Sequence, residues 1–236
     1  MDRKKITVRH VVPSDVPTLV ELDHRVWKTK EQQADSYTFI ERIKNCGDTC
    51  WAVFIGKAAI ASLYIMGVTH KQVMKSNSWD QITDKGTARS SIPYSQEWFG
   101  IGLAATQNAK KADAVEKLMT EAAIEALRLG IRYVYLGSPI PGLRKWLKKN
   151  RDKGINEYVY AKKVDNLPLD PQLRYYYKEG FRKIVQIKQN YFPHEKSLDY
   201  GVILRLENPF WRMKIAFRLL PTFLLRLIIH FFMKYI

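Results

Sequence analysis

Three stretches of this 236-residue chain hold residue types and spacings that bear on chemistry. The first is LAATQNAKKADAVEKLM, residues 103–119, a strand-like run passing into a helical pattern through a polar bend. A chain that bends this way presents free backbone N–H groups at a helix start, the geometry that cradles phosphate. Such bends ordinarily carry glycine so that the backbone can approach the anion. Here Asn108, Lys110, Lys111 and Asp113 stand in it. The second stretch is the polar segment 67–96, which contains His70, Trp79, Asp80 and Thr83 and ends just before Glu97. It is long for a connection between strands, and long loops in compact domains are often binding elements. The third runs from Gly137 to Gly142 around Ser138 and two prolines, a rigid rim.

Other chemistries find no footing. Cys46 and Cys50 are the only cysteines. A C-x3-C pair without a partner pair reads as two structural thiols, so no metal is expected. No Ser-His-Asp arrangement or P-loop appears. The start, MDRKKITVRH, lacks the apolar run of a signal peptide, which makes a reducing cytoplasmic setting the expectation.

Lys and Arg outnumber Asp and Glu by 39 to 23, a net charge of +16 that favours anionic partners. A basic region holds Arg128, Arg132, Arg144, Lys145, Lys148, Lys149, Arg151 and Lys153. No RNA or DNA module motif accompanies it, so nucleic acid is not the expected partner.

The elements that must position these residues follow from periodicity. Residues 5–11 alternate as a strand, and Pro13-Ser14-Asp15 opens a helix. A second helix is expected over 33–43. CWAVFIGKAAIASLYIM reads as two strands turning at Gly56-Lys57. Further strands are expected at 98–106, IRYVYLGS, 181–189 and 200–206, and helices at 111–129, ending at Gly130, and around 171–178. The composition (46% hydrophobic) supports one core domain, residues 1–208, followed by a tail, 209–236.

The longest stretch of that tail free of Arg, Lys and His is Leu219 to Leu225, far below the ~18 apolar residues of a membrane span. From Thr222 onward Arg226, His230 and Lys234 recur every four residues as a polar stripe beside a wide apolar face. The expectation is a helix lying in a membrane interface, through residues 210–236, at the inner face of a membrane. A helix folded back on the core, or a dimer contact, stays open beside it.

The element order, ITVRHVVPSDVPTLVEL at the start, the bend at 103–119 and YYYKEGFRKI resemble the GNAT acyltransferase superfamily over roughly residues 5–207. SWDQITDKG, LGSPIPG, LDPQL and YFPHEKSLDYGVILRLENP look like one branch, with domains fused to carbon–nitrogen hydrolases and domains that load polyketide synthases. In that branch's Y-R-P segment this chain has Phe192 for the arginine. The resemblance implies an α/β (α+β) fold: a mixed, mostly antiparallel sheet flanked by helices, with the amphipathic tail added.

It also implies acyl transfer from acetyl-CoA or acyl-CoA to an amine by direct attack. Leu103, Ala105, Lys110, Lys111, Ala112 and Asp113 would bind the cofactor, with N–H groups near Leu103 to Ala105 as oxyanion donors. Lys110 falls on the family's arginine, and Lys111, Asp113 and Val115 on its three glycines. Tyr176 matches the tyrosine that protonates the leaving thiolate, and Glu97 or His70 would be the base. Trp79, Asp80, Thr83 and Ser138 would border the acceptor, Asp80 and Thr83 either orienting groups or holding turns. The glycine-poor bend leaves three readings open: a modified coenzyme A site, a site for an acyl carrier protein, and a non-catalytic adaptor or sensor whose loop has decayed.

Overall fold

The computed structural model describes residues 6–27, 29–111 and 113–235, with the side chains of Glu31, Lys110, Lys111 and 232–235 outside the description. Strands β1 (Ile6–His10), β2 (Cys50–Ile55), β3 (Ala58–Val68), β4 (Glu97–Ala105), β5 (Tyr133–Pro139), β6 (Lys183–Lys188) and β7 (Gly201–Glu207) form one sheet in the order β1-β2-β3-β4-β5-β7-β6. Every neighbouring pair is antiparallel except β4 and β5, which run parallel. This is the mixed, mostly antiparallel sheet that the sequence implies. β2 and β3 turn at Gly56, whose φ of +63° suits glycine. β3 is buried on both faces, with Tyr64 and Met66 on one and Leu63 and Ile65 on the other, as a central strand with an unbroken apolar run requires.

One face is covered by α1 (Val16–Val26), α2 (Ser36–Cys46), α3 (His70–Lys75) and α4 (Trp79–Thr83), which bury Leu19, Leu22, Phe39, Val73 and Ile82 against Met66, Phe99, Ile101, Tyr135 and Ile203. The opposite face carries α6 (Ala114–Leu129) under the first half of the sheet. Under the second half lie α7 (Leu143–Lys149), α8 (Ile155–Tyr160) and α9 (Pro171–Lys178). Val134 packs in both of these clusters and so joins them.

Several boundaries differ from the sequence reading, each for a local reason. The second helix covers 36–46 instead of 33–43, because Asp35 caps it: its carboxylate accepts from Thr38 N at 2.8 Å. The long helix starts at Ala114 instead of 111. A separate short helix, α5 (Gln107–Lys111), occupies the bend, and Asp113 breaks the two apart in a left-handed conformation (φ +48°). The polar segment 67–96 is not an open loop, since it folds into α3 and α4. Lys188 fixes the far end of α3 by donating to the carbonyls of Val73 (2.7 Å), Met74 (3.2 Å) and Ser76. Burial pushes the pKa of this lysine down.

The tail forms α10 (Lys214–Leu219) and α11 (Thr222–Tyr235). Leu225 and Ile229 bury against Ile124 and Leu127 of α6. The polar stripe faces α6 as well: Arg226 pairs with Glu121 at 2.6 Å and His230 lies 3.8 Å from Glu116. Arg128 donates to Thr222 Oγ1 at 2.9 Å, so α11 runs antiparallel to α6. Phe223, Leu227 and Phe231 are more than half exposed on the other side. Among the described residues, no helix is long and apolar enough to cross a membrane.

Candidate functional site

β4 and β5 pair only from Glu97↔Tyr133 to Gly100↔Leu136. Beyond that point β4 continues to Ala105 beside β3 alone, while Gly137–Pro139 of β5 pair with β7 alone. The two parallel strands therefore part, and a wedge opens in the middle of the sheet. Residues alternate along a strand in the side to which they turn their N–H. Thr106 N donates to Ile60 O of the β3 side at 3.0 Å. Ala104 and Gly102 consequently face β3, and Leu103 and Ala105 turn their N–H groups into the wedge.

The end of β4 leads to the start of α6. Asp113 makes no side-chain cap bond there, so its carboxylate does not occupy the first N–H groups of α6, at the positive end of a 16-residue helix. A groove of about 290 Å³ lies at this end, lined by Ala105, Thr106, Ala109, Asp113, Ala114, Val115 and Glu116. A second groove, about 430 Å³, shares Asp113 and Glu116 and reaches Lys117 and Arg226. Of the residues expected here, Ala112 and the side chains of Lys110 and Lys111 lie outside the described residues.

The remaining expected residues fall on opposite faces of the sheet. Tyr176, half-buried on α9, packs edge-on against Phe181 with ring centroids 6.1 Å apart, on the face shared with α6. Burial raises its pKa, with a hydrogen bond to Gln172 opposing. Glu97 and His70 sit on the other side, around Tyr135. His70 Nδ1 is 3.0 Å from the Tyr135 hydroxyl, and the Arg205 guanidinium lies close enough to that phenol to influence it. Burial is the main cause of a raised Tyr135 pKa, and Glu97 adds to it. Glu97 Oε2 is buried without a hydrogen-bond partner, as are Arg205 Nε and Gln186 Oε1 nearby on β7 and β6.

Trp79 spans the wedge: its Nε1 donates to Ile101 O at 3.0 Å, and its backbone N donates to Tyr191 O at 3.2 Å. Thr83 is fully buried and holds a turn, donating to Trp79 O (2.7 Å) and accepting from Gly86 N (2.9 Å). Asp80 is exposed on α4. Ser138 is fully buried, and its hydroxyl donates to Pro139 O at 2.9 Å.

The LDPQL and LGSPIPG segments meet at Asp170, which accepts from Gly142 N (3.0 Å), Tyr158 Oη (2.7 Å), Gln172 N (2.8 Å) and Leu173 N (3.1 Å). A carboxylate so occupied is an internal brace, and it fixes α9 beside the rim of the wedge. Sequence reasoning passed over Tyr191, Tyr135 and Arg205. Their signal was faint, since each looks like one more residue of an alternating strand or aromatic run.

No family model matches the chain. Two Bacillus subtilis (strain 168) proteins are similar in sequence. The Uncharacterized N-acetyltransferase YkwB is 20% identical over 211 residues, covering 88% of this chain and 91% of that protein. The Probable hydrolase YhcX is 22% identical over 212 residues, covering 87% of this chain but only 39% of that protein. Among solved structures, the loading GNATL domain of CurA from Lyngbya majuscula superposes with a TM-score of 0.70 at 16% identity, over 86% of this chain and 98% of that one. The GphF GNAT-like decarboxylase in complex with isobutyryl-CoA gives 0.66 at 22% identity, over 85% and 98%. At these identities the likeness speaks to the fold. The parted β4 and β5, the helix that follows β4, and these superpositions together establish that this chain has the fold of the GNAT acyltransferase superfamily.

Proposed function

We propose that the chain moves an acyl group from an acyl-CoA thioester to an amine by direct attack. The observation that carries this reading is the wedge between β4 and β5, into which Leu103 and Ala105 turn their N–H groups. A thioester seated there would have those donors for the charge that develops on its carbonyl oxygen. The N–H groups at the start of α6 would take the coenzyme A diphosphate, with Lys110 and Lys111 adding charge. Isobutyryl-CoA on the GphF neighbour is consistent with such a donor.

The faces divide the labour. Tyr176, beside α6, is on the donor side, and its raised pKa keeps it able to protonate a leaving thiolate. On the acceptor side the choice falls on Glu97 over His70. His70 Nδ1 is already engaged with the Tyr135 hydroxyl at 3.0 Å. Glu97, with a buried oxygen lacking a partner, is the group able to accept the amine proton. Trp79 and Asp80, on α4 of that face, would border the route to it, whereas Ser138, enclosed and alternating with Tyr135 on β5, turns to the other face. Steady-state turnover of acetyl-CoA and longer acyl-CoAs against a panel of amines tests the reading, and thiol release that requires neither amine nor Glu97 contradicts it.

The exposed apolar ridge of Phe223, Leu227 and Phe231, continued by Ile215 and Leu219 and flanked by Arg212, Lys214 and Arg218, favours a peripheral position on an anionic membrane surface, on its cytoplasmic side. A second reading rests on Asp113 and Glu116, two acids lining the groove where phosphates would lie. They favour an acyl carrier protein as donor, or a non-catalytic adaptor. Transfer from acyl carrier protein but not from acyl-CoA would select the first, and absence of both the second.

A further inference from the structure

Tyr191 occupies a seat that two strands have been cleared to provide. A Cβ built on Gly201 of β7 would lie 2.8 Å from Tyr191 Cβ and 2.5 Å from its Cδ1. One built on Gly137 of β5 would lie 2.6 Å from Cε1 and 3.3 Å from Cζ. Neither glycine has the positive φ that calls for glycine on backbone grounds, so the missing side chains serve the tyrosine's close approach. The order of contacts gives the ring's direction. Its root lies over β7 and its tip over β5, so the Cβ-to-hydroxyl axis runs from β7 across β5 towards β4.

The backbone is pinned on both sides, Tyr191 N donating to Asp199 O at 2.8 Å and Tyr191 O accepting from Trp79 N at 3.2 Å. Phe192 closes the ring edge-on, with centroids 4.8 Å apart. At the end of this axis the hydroxyl is buried and has no hydrogen-bond partner, in a residue that is 2% exposed. A buried hydroxyl without a partner is costly, and one aimed at the mouth of the wedge is placed to receive an acceptor there. Burial also holds the phenol's pKa up, so the group is a donor throughout the neutral range.

Resting on the acyl-transfer reading above, we infer that Tyr191 is a catalytic residue whose hydroxyl reaches the β4–β5 wedge and donates a hydrogen bond to the carbonyl oxygen of the thioester. The oxygen then has a phenolic donor from one wall and the β4 N–H groups from the other. As the amine nitrogen forms its bond to the carbonyl carbon, the C=O π pair moves onto this oxygen, where both donors strengthen. The amine proton passes by way of solvent to Glu97, six residues before Leu103 on β4, and solvent later returns a proton to Tyr176 as Glu97 loses its own. On collapse the C–S bond breaks, its pair leaves with sulfur, and the thiolate takes a proton from Tyr176, giving amide and free thiol. Tyr191 keeps its own proton throughout.

Tyr191→Phe retains the ring that fills the space over both glycines, so the fold is kept and only the donor is lost. The expected result is a fall in kcat of about 10²–10³-fold, with coenzyme A affinity unchanged and a melting temperature no lower than wild type, since the variant removes an unpartnered buried hydroxyl. Bound acetyl-CoA labelled with ¹³C at its carbonyl gives a readout independent of turnover. Its stretching band should lie below the solution value in the wild-type protein and return towards it in Tyr191→Phe. A band at the same frequency in both proteins, or full kcat in the variant, overturns the inference while leaving acyl transfer intact. Failure of the wild-type protein to bind acetyl-CoA or longer acyl-CoAs at all overturns the donor reading, and this inference with it.

Discussion

His70 Nδ1 lies 3.0 Å from the hydroxyl of Tyr135, tying the first turn of α3 to the middle of β5. That contact holds the connection between β3 and β4 down on the sheet. On the acyl-transfer reading, Glu97, whose buried Oε2 lacks a partner beside this pair, is the proposed proton acceptor. Glu97→Gln should therefore lower kcat about 10²–10⁴-fold. His70→Gln, which removes only an orienting contact, should cost about tenfold or less and raise KM more than it lowers kcat. Steady-state kinetics with one amine at saturating donor separates them; the reverse ranking would make His70 the base. Neither Tyr176 nor Tyr191, both raised above the ordinary 10.0 by burial, should produce an alkaline loss of activity below pH 10.

The tyrosine seat makes a prediction about stability alone. Gly201→Ala places a methyl group 2.5 Å from Tyr191 Cδ1 and should cost about 1–3 kcal/mol by overpacking. Gly102→Ala, where nothing lies within 4 Å, should stay within about 0.5 kcal/mol. Urea unfolding of the two variants checks this, and equal losses would mean that the ring is free to move aside.

Acid stability depends on Asp15, which accepts from Arg9 at 2.6 and 2.7 Å and from Val12 N at 2.9 Å. The hydrogen bonds from Arg9 hold its carboxyl below the ordinary 3.8, against the opposing effect of burial. A carboxylate depressed in this way adds stability that is present in full above its unfolded pKa and lost as the pH falls through the folded one. Asp15→Asn should thus be less stable than wild type at pH 7, with the gap closing below pH 3.8. A gap of the same size at pH 7 and pH 2 would contradict the assignment.

The tail has two apolar lines with different jobs. Leu225 and Ile229 are buried on α6, so Leu225→Ala should cost about 2–5 kcal/mol locally and speed hydrogen exchange in α11. Phe223 and Leu227 are exposed, and changing both to Asp should leave the fold unaltered while abolishing sedimentation with anionic lipid vesicles. Retained sedimentation would place membrane contact elsewhere. Deleting 210–236 is the poorer test, because it also bares Ile124 and Leu127.

Much of this architecture was legible because the sheet announces itself locally. The alternation at 5–11, the apolar runs around Gly56 and the stop at Gly130 are each decided by neighbours in sequence. What lay beyond reach was decided at a distance. Asp113 reads as a helix-starting acid, yet it sits in a left-handed break that separates α5 from α6. The stripe of Arg226 and His230 looks solvent-facing until Glu121 and Glu116 are brought beside it. Tyr191 and its two glycines are 54 and 10 residues apart in sequence, and only the sheet order makes them one feature. Glu97 and His70, 27 residues apart in sequence, both flank Tyr135, a neighbourhood that only the pairing of β4 with β5 reveals.

The central claim is that the end of β4 and the start of α6 receive an acyl-CoA. Calorimetric titration of the purified protein with coenzyme A, acetyl-CoA and a long-chain acyl-CoA, repeated on Lys110→Ala and Lys111→Ala, tests it most directly. Saturable binding to the wild-type protein that weakens in both variants is the predicted result. Absence of heat from every coenzyme A species would contradict it and leave the wedge to another donor.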